Sequence, residues 1–219
     1  MIHISETLAL QTVESFLTPE ELTHLRKIMD DELETTGWQP RVQADVLSAP
    51  GPAQDILQQA VHRALAAIQR SMPSIRSAAP WGYTELGPRQ RVPAHIDGIP
   101  DPGGSPRRLG RIGVLLTAPE TGGEFYVETT AAPTVWSGTE VGHTEGYHHR
   151  TPLTHSQPHA PATGAHHKEP EWLAAAPRTR WVTHAGPGTA TAYGAQVIHG
   201  VQPVRAGRLR KFVTDLLDR

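Results

Sequence analysis

The sequence predicts an α+β protein, mainly β, with its helices confined to the first third of the chain. Three observations carry this. Apolar residues recur at helical spacing only between residues 18 and 72. From Pro80 onward, short apolar runs alternate with Gly- and Pro-rich turns, as in an antiparallel β-fold. Glycine and proline number 20 each in 219 residues, a turn-rich composition at odds with a helical bundle.

Taken in order, ISETLALQTVESF opens with a short strand-like run. A helix then starts at Thr18: its hydroxyl is a good N-cap, Pro19 suits the first helical position, and Glu20 and Glu21 favour the positive end of the helix dipole. Leu22, Leu25, Ile28, Met29 and Leu33 form its apolar face. A second helix is predicted from Ala53 to about Met72, with Ile56, Leu57, Ala60, Val61, Ala64, Leu65 and Ile68 on one side and Pro73 ending it. Ile112 to Leu116 reads as a buried strand, Gly122 and Gly123 turn the chain, and a further strand begins at Phe125 to Val127. RLRKFVTDLLDR supplies a final strand. The whole is expected to be one domain over 1–219, with N-terminal strand and helices over 1–79 and a β-core over 80–219.

A formal net charge of -2 gives no broad basic footprint for nucleic acid. No apolar run approaches a membrane span, and the early acids of MIHISETLALQTVESF do not fit a signal peptide. A cytoplasmic location is therefore the expectation. Without a single cysteine, thiolate metal sites, disulfides and Cys nucleophiles are excluded together.

The chemistry centres on PRQRVPAHID. Alternate side chains of a strand share a face, so His95 and Asp97 project side by side with Ile96 turned away. An isolated HxD is usually a surface histidine near a turn aspartate, and needs a third ligand to mean more. The best candidate is His199 in QVIHGVQPV. Two imidazoles and one carboxylate on one face leave coordination positions open, as a non-haem Fe(II) oxygenase requires.

Several stretches, in order, resemble the Fe(II)/2-oxoglutarate-dependent oxygenase superfamily, and most closely its prolyl-hydroxylase-like branch. FLTPEE resembles the helix opening ahead of the barrel, and YTELGPRQRVPAHID the first metal-binding strand. TGGEFYVE is similar to the GGE turn, and GPGTATAYGAQVIHGVQPVRAG to the strands around the distal histidine. The resemblance implies a double-stranded β-helix (jelly-roll, cupin-like) core with flanking N-terminal helices, and makes His95, Asp97 and His199 the ligands of Fe(II). It implies 2-oxoglutarate as co-substrate and O2 as oxidant. Asp at position 97 disfavours a halogenase, because the carboxylate occupies the place a halide needs.

In that family, the far carboxylate of 2-oxoglutarate meets an Arg or Lys on the strand after the distal histidine. The tenth residue after His199 is Leu209, flanked by Arg208 and Arg210. Both arginines share a strand face with Phe212 and Thr214, and either can supply the guanidinium fork. Tyr83, with Trp81 nearby, lies where the branch often has a tyrosine on the co-substrate, although core packing serves as well. Arg111 could face the cavity, but capping the exposed strand end is the blander assignment.

One stretch, about 129–170, is polar and carries His143, His148, His149, His155, His159, His166 and His167. Its length points to a lid-like insertion over the cavity rather than an ordinary loop; a dedicated second metal site is the weaker alternative, since the spacings match no compact site. The function expected is hydroxylation, or another oxidation, of an unactivated C–H bond in a small molecule such as an amino acid or natural-product intermediate, with release of succinate and CO2. The alternatives are a peptide or protein prolyl-type hydroxylase and a non-catalytic cupin-like metal- or ligand-binding module. A zinc hydrolase is disfavoured because no HExxH arrangement is present.

Overall fold

The computed structural model describes residues 1–40, 45–156 and 168–219. Helix α1 (Ile4–Thr7) and strand β1 (Leu10–Val13) lead into α2 (Pro19–Thr36), a short β2 (Leu47–Ser48) and α3 (Gly51–Ile68). Then come β3 (Ser77–Ala78), β4 (Gly82–Leu86), β5 (Val92–His95) and β6 (Arg108–Thr117). β7 (Thr121–Gly122) and β8 (Phe125–Thr129) precede a hairpin of β9 (Trp136–Val141) and β10 (Thr151–Thr154). After α4 (Glu171–Ala174), the chain closes with β11 (Thr179–Val182), β12 (Ala190–Gly194), β13 (Ile198–Val201), β14 (Val204–Ala206) and β15 (Leu209–Leu217).

The helix signals work locally. Thr18 Oγ1 accepts from the Glu21 amide at 3.2 Å, and the Glu21 carboxylate accepts from the Thr18 amide at 2.9 Å, closing a capping box at the start of α2. α3 begins two residues before Ala53 and ends at Ile68, short of Met72. Its last turn tightens, with Ser71 N bonding Ile68 O, while the Ser71 hydroxyl donates to Gln11 Oε1 of β1 at 2.6 Å. A long-range partner for a residue that favours turns ends the helix ahead of Pro73. The strand-like opening is likewise split, since α1 precedes β1.

The strands form two main antiparallel sheets. One has seven strands in the order β1-β12-β6-β15-β4-β2, with β3 also on β15; the other has four, β11-β8-β13-β5. They face each other, for the His199 ring on β13 lies 4.4 Å from the Tyr193 ring on β12. β6 is longer than the predicted run, and its burial alternates. Ile112, Val114 and Leu116 pack with Phe212 and Leu216 of β15 against Leu25 and Met29 of α2 and Leu57, Val61 and Ile68 of α3. Fully burying each such side chain stabilises the fold by about 1.5–3 kcal/mol. Gly113 and Leu115, on the opposite face, line a cavity between the sheets.

The predicted lid is not an irregular flap over its described length. Pro133–Val135 form a 3-10 turn, β9 and β10 pair as a hairpin, and α4 follows the undescribed stretch. Val141, Tyr147 and Leu153 enter the main core with Ile2, Ile99 and Leu109. Val135 and Leu173, with Trp136 and Trp172, cover Ala94, Ile96, Tyr126 and Ile198 on the outer side of the four-stranded sheet. The polar composition hid a sparse set of apolar residues that are buried by partners far away in sequence. Gln196 ties the hairpin down: its side chain accepts from Thr154 N at 2.6 Å and donates to Thr7 Oγ1 at 2.9 Å. His143, His148, His149 and His155 are exposed, and His159, His166 and His167 lie outside the described residues. No helix among the described residues is long and apolar enough to cross a membrane.

Candidate metal centre

His95 ends β5, and Asp97 follows just beyond the ladder. The alternation nevertheless continues, with Ile96 turned into the outer apolar cluster and Asp97 buried inward. His199 on β13 is the direct cross-strand partner of His95, which brings the two rings to a centroid distance of 4.2 Å. Gly98, at φ 69°, turns the chain immediately after Asp97. A Cβ there would lie 2.2 Å from Ser156 Cβ, so only glycine lets the segment after β10 press against this turn.

One ligand atom from each of His95, Asp97 and His199 lies within 4.8 Å of the others, and these form the only group of three or more such donors among the described residues. The His95 Nε2 stands 3.9 Å from Asp97 Oδ1, and the His199 Nε2 3.7 Å from Asp97 Oδ2. Two ligands at right angles on a metal about 2.1 Å away are about 3 Å apart, so a modest inward movement completes the site. Each ring is held from behind: His95 Nδ1 lies 2.9 Å from Pro93 O, and His199 Nδ1 lies 3.0 Å from Val197 O. A carbonyl only accepts, so each Nδ1 carries the proton and each Nε2 lone pair faces Asp97. Burial lowers the affinity of His95 for a proton, and burial together with His95 pushes His199 down to about 3. Both imidazoles are thus neutral at ordinary pH, the form that binds metal.

The residues beside the triad are partly those expected and partly others. Arg111, which could have been a capping residue, points inward, with Nη1 at 3.4 Å from Asp97 Oδ1 and Nε at 3.0 Å from Asp215 Oδ1. Burial opposes its charge, but Asp97, Tyr193 and Asp215 together hold it protonated. Arg208, Arg210 and Tyr83 are not brought to the triad. Tyr83 is wholly buried on the helix-facing side of β4, where its ring meets Phe212 at 5.7 Å. Its hydroxyl donates to Glu85 Oε2 at 2.8 Å and accepts from Arg210 Nε at 2.7 Å. Arg210 also pairs with Asp30 of α2 at 2.7 Å, and Arg208 pairs with Glu85 while staying largely exposed. Trp81 is likewise core, tilted against Phe16. The physical reason is packing: the face of β15 that carries Arg210, Phe212 and Thr214 lies against the helices, not the cavity.

The opposite face of β15 carries Lys211, missed in the sequence. Its side chain lines a cavity of about 280 Å³ between the sheets, together with Phe125, Thr191, Tyr193, Val201 and Leu209. Tyr193 and Phe125 are also ring neighbours of His199, at 4.4 and 5.8 Å, so the cavity starts beside the triad. Burial and Arg111 push the Lys211 ammonium down to about 8, against the opposing pull of Asp97. The Lys211 ammonium makes no hydrogen bond or ion pair among the described residues. Its cross-strand neighbour Thr84 has a buried hydroxyl with no hydrogen-bond partner. Buried polar groups left so are costly unless a ligand meets them. The available signal was Phe212 and Leu216: they mark the core face, which leaves Lys211, Val213 and Asp215 on the other.

No protein-family profile matches the chain, and no curated protein sequence matches it. Solved structures do. A prolyl-4-hydroxylase from Pseudomonas putida superposes with a TM-score of 0.58 at 14% identity, over 97% of this chain and 94% of that one. SnoK, a non-haem α-ketoglutarate-dependent carbocyclase from nogalamycin biosynthesis, gives 0.57 at 13% identity, over 98% and 81%. A prolyl hydroxylase from Trichoplax adhaerens, in complex with a hypoxia-inducible-factor peptide fragment, gives 0.52 at 11% identity, over 97% and 84%. The chain shares the fold of these 2-oxoglutarate/Fe(II) oxygenases along nearly its whole length.

Proposed function

We propose that this protein is a non-haem Fe(II)/2-oxoglutarate-dependent dioxygenase that hydroxylates, or otherwise oxidises, an unactivated C–H bond of a small molecule, releasing succinate and CO2. The observation that carries this reading is a three-donor cluster whose His199 ring touches Tyr193 and Phe125, two walls of a cavity that Lys211 also lines. The two facing sheets are read as a double-stranded β-helix, in keeping with the structures it superposes on.

His95, Asp97 and His199 would hold Fe(II) from one face. When bound, the metal with 2-oxoglutarate and O2 supplies the oxidising power for C–H chemistry. The chain supplies position and shelter. Pro93 and Val197 carbonyls fix the imidazole tautomers. Lys211 would meet the distal carboxylate of 2-oxoglutarate as an ammonium, and Thr84 on the neighbouring strand would add a hydroxyl donor from the same sheet face. Phe125, Val201 and Leu209 give that passage apolar walls, which strengthen the charge pair by excluding water.

A peptide prolyl hydroxylase is the second reading, favoured by the two prolyl hydroxylases among the superposed structures. The class itself is tested by anaerobic titration of the metal-free protein with Fe(II) and then 2-oxoglutarate. A weak visible metal-to-ligand charge-transfer band is expected, absent in His199→Ala. Iron binding with no band on adding 2-oxoglutarate would sink the oxygenase reading in favour of a binding module.

A further inference from the structure

The approach to the triad on the side away from Lys211 is polar. Lys211 and Asp215 lie on one face of β15, four residues or about 13 Å apart. Asp215 pairs in register with Arg111 of β6, the residue that contacts Asp97. Arg108 of the same strand reaches over the metal-binding turn, and its Nη2 donates to Asp97 O at 3.2 Å and Gly98 O at 3.1 Å. The side chains of His95, Arg111, Arg108 and Asp215 retain 15%, 17%, 23% and 30% of their exposure, whereas Asp97 retains none. Of the triad, His95 keeps the most exposure, and these partly exposed charged side chains stand beside it; with 2-oxoglutarate on the Lys211 side, this is the side we take the primary substrate to approach from.

The rim contains a loose ion pair: Arg108 Nη2 is taken by the Asp97 and Gly98 carbonyls and Asp215 Oδ1 by Arg111 Nε, which leaves Arg108 Nη1 and Asp215 Oδ2 without a hydrogen bond. Arg108 Nη1 and Asp215 Oδ2 face each other at 3.9 Å, too long for a hydrogen bond. Arg111 is already held between Asp97 and Asp215. A neutral apolar substrate would strip water from Arg108 and Asp215 and return nothing. A purely anionic one would meet the Asp215 carboxylate. A molecule that carries a carboxylate and an ammonium on neighbouring atoms completes both, with its carboxylate on Arg108 and its ammonium on Asp215, and adds no net charge.

We propose that the primary substrate is a zwitterionic α-amino acid or a small molecule with the same paired termini, recognised by Arg108 and Asp215 at the rim of the metal site. This rests on the oxygenase reading and sharpens its substrate class. An internal residue of a peptide has neither charge, so the rim disfavours the peptide alternative.

The test is calorimetric titration of the full chain, loaded anaerobically with Fe(II) and 2-oxoglutarate, with the standard amino acids in four forms: free, N-acetylated, C-amidated and blocked at both ends. At least one free amino acid should bind, with each single block weakening it about 10-fold or more. Arg108→Gln should erase the difference between acid and amide, and Asp215→Asn the difference between amine and N-acetyl. A residue that only braces the turn would change all four affinities together. Binding of no free amino acid, equal or tighter binding of doubly blocked forms, or unchanged preferences in both variants would overturn the assignment. The charge-transfer band is recorded on the same samples. A band without zwitterion preference removes only the rim assignment, whereas no band in the wild-type protein removes the oxygenase reading itself.

Discussion

The two faces of β15 place cations one residue apart in sequence and give them opposite fates. Arg210 turns toward the helices, where Tyr83 and Asp30 use its donors. Lys211 turns toward the facing sheet and lines a cavity without an ion pair among the described residues. A satisfied buried cation contributes to the fold; an unsatisfied one beside a cavity costs stability and awaits an anion. The contrast is a stronger reason to assign the proposed co-substrate contact to Lys211 than the count of residues from His199 is to assign it to either arginine.

The largest effects should come where the cavity meets the metal. Asp97→Ala or His199→Ala removes one of three donors, and Fe(II) affinity by equilibrium dialysis should fall by more than about 100-fold, with turnover lost. Next comes the comparison itself. Lys211→Ala should weaken 2-oxoglutarate by about 2–3 kcal/mol, roughly 30- to 150-fold in affinity, while Arg208→Ala and Arg210→Ala stay within about 2-fold. A strong effect from either arginine, with none from Lys211, would reverse the assignment of the two faces.

A pH series sharpens the same contrast. With its ammonium pushed down to about 8, free Lys211 loses its charge as pH rises through that value. Affinity for 2-oxoglutarate should therefore fall above about pH 8, approaching 10-fold per unit, because only the charged form is stabilised by the carboxylate. Lys211→Arg keeps its charge and should flatten the profile. The smallest effects belong to stability on the helix-facing side. Arg210→Ala should lower unfolding free energy by about 1–3 kcal/mol in urea titration, through the lost partner of a buried tyrosine. Arg208, largely exposed, should contribute less than about 1 kcal/mol.

What could be read ahead of the structure follows the range of the interactions involved. α2 was legible because its cap joins residues three apart, Thr18 and Glu21. His95 and Asp97 were legible as a pair because strand alternation spans two residues. On β15, Arg210, Phe212 and Thr214 do share a face, but Arg208 precedes the strand and stays exposed, and the face that could have pointed inward packs on the helices. The hairpin of the polar insertion was illegible for a related reason, since Val141, Tyr147 and Leu153 are buried by Ile2, Ile99 and Leu109, none of them near in sequence.

By itself, then, the sequence determined the capped start of α2, the apolar face of α3, the strand-and-turn texture and the adjacency of two donors, all of which depend on residues within a few turns or one pleat. Tertiary structure alone decided that His199 pairs across from His95, that Lys211 rather than either arginine faces the cavity, and that Arg108 and Asp215 face each other beyond hydrogen-bond length beside the triad. Alternation divides a strand into two faces without saying which faces inward. That choice is made where α2 and α3 bury Phe212 and Leu216, and it orients every polar group along the strand.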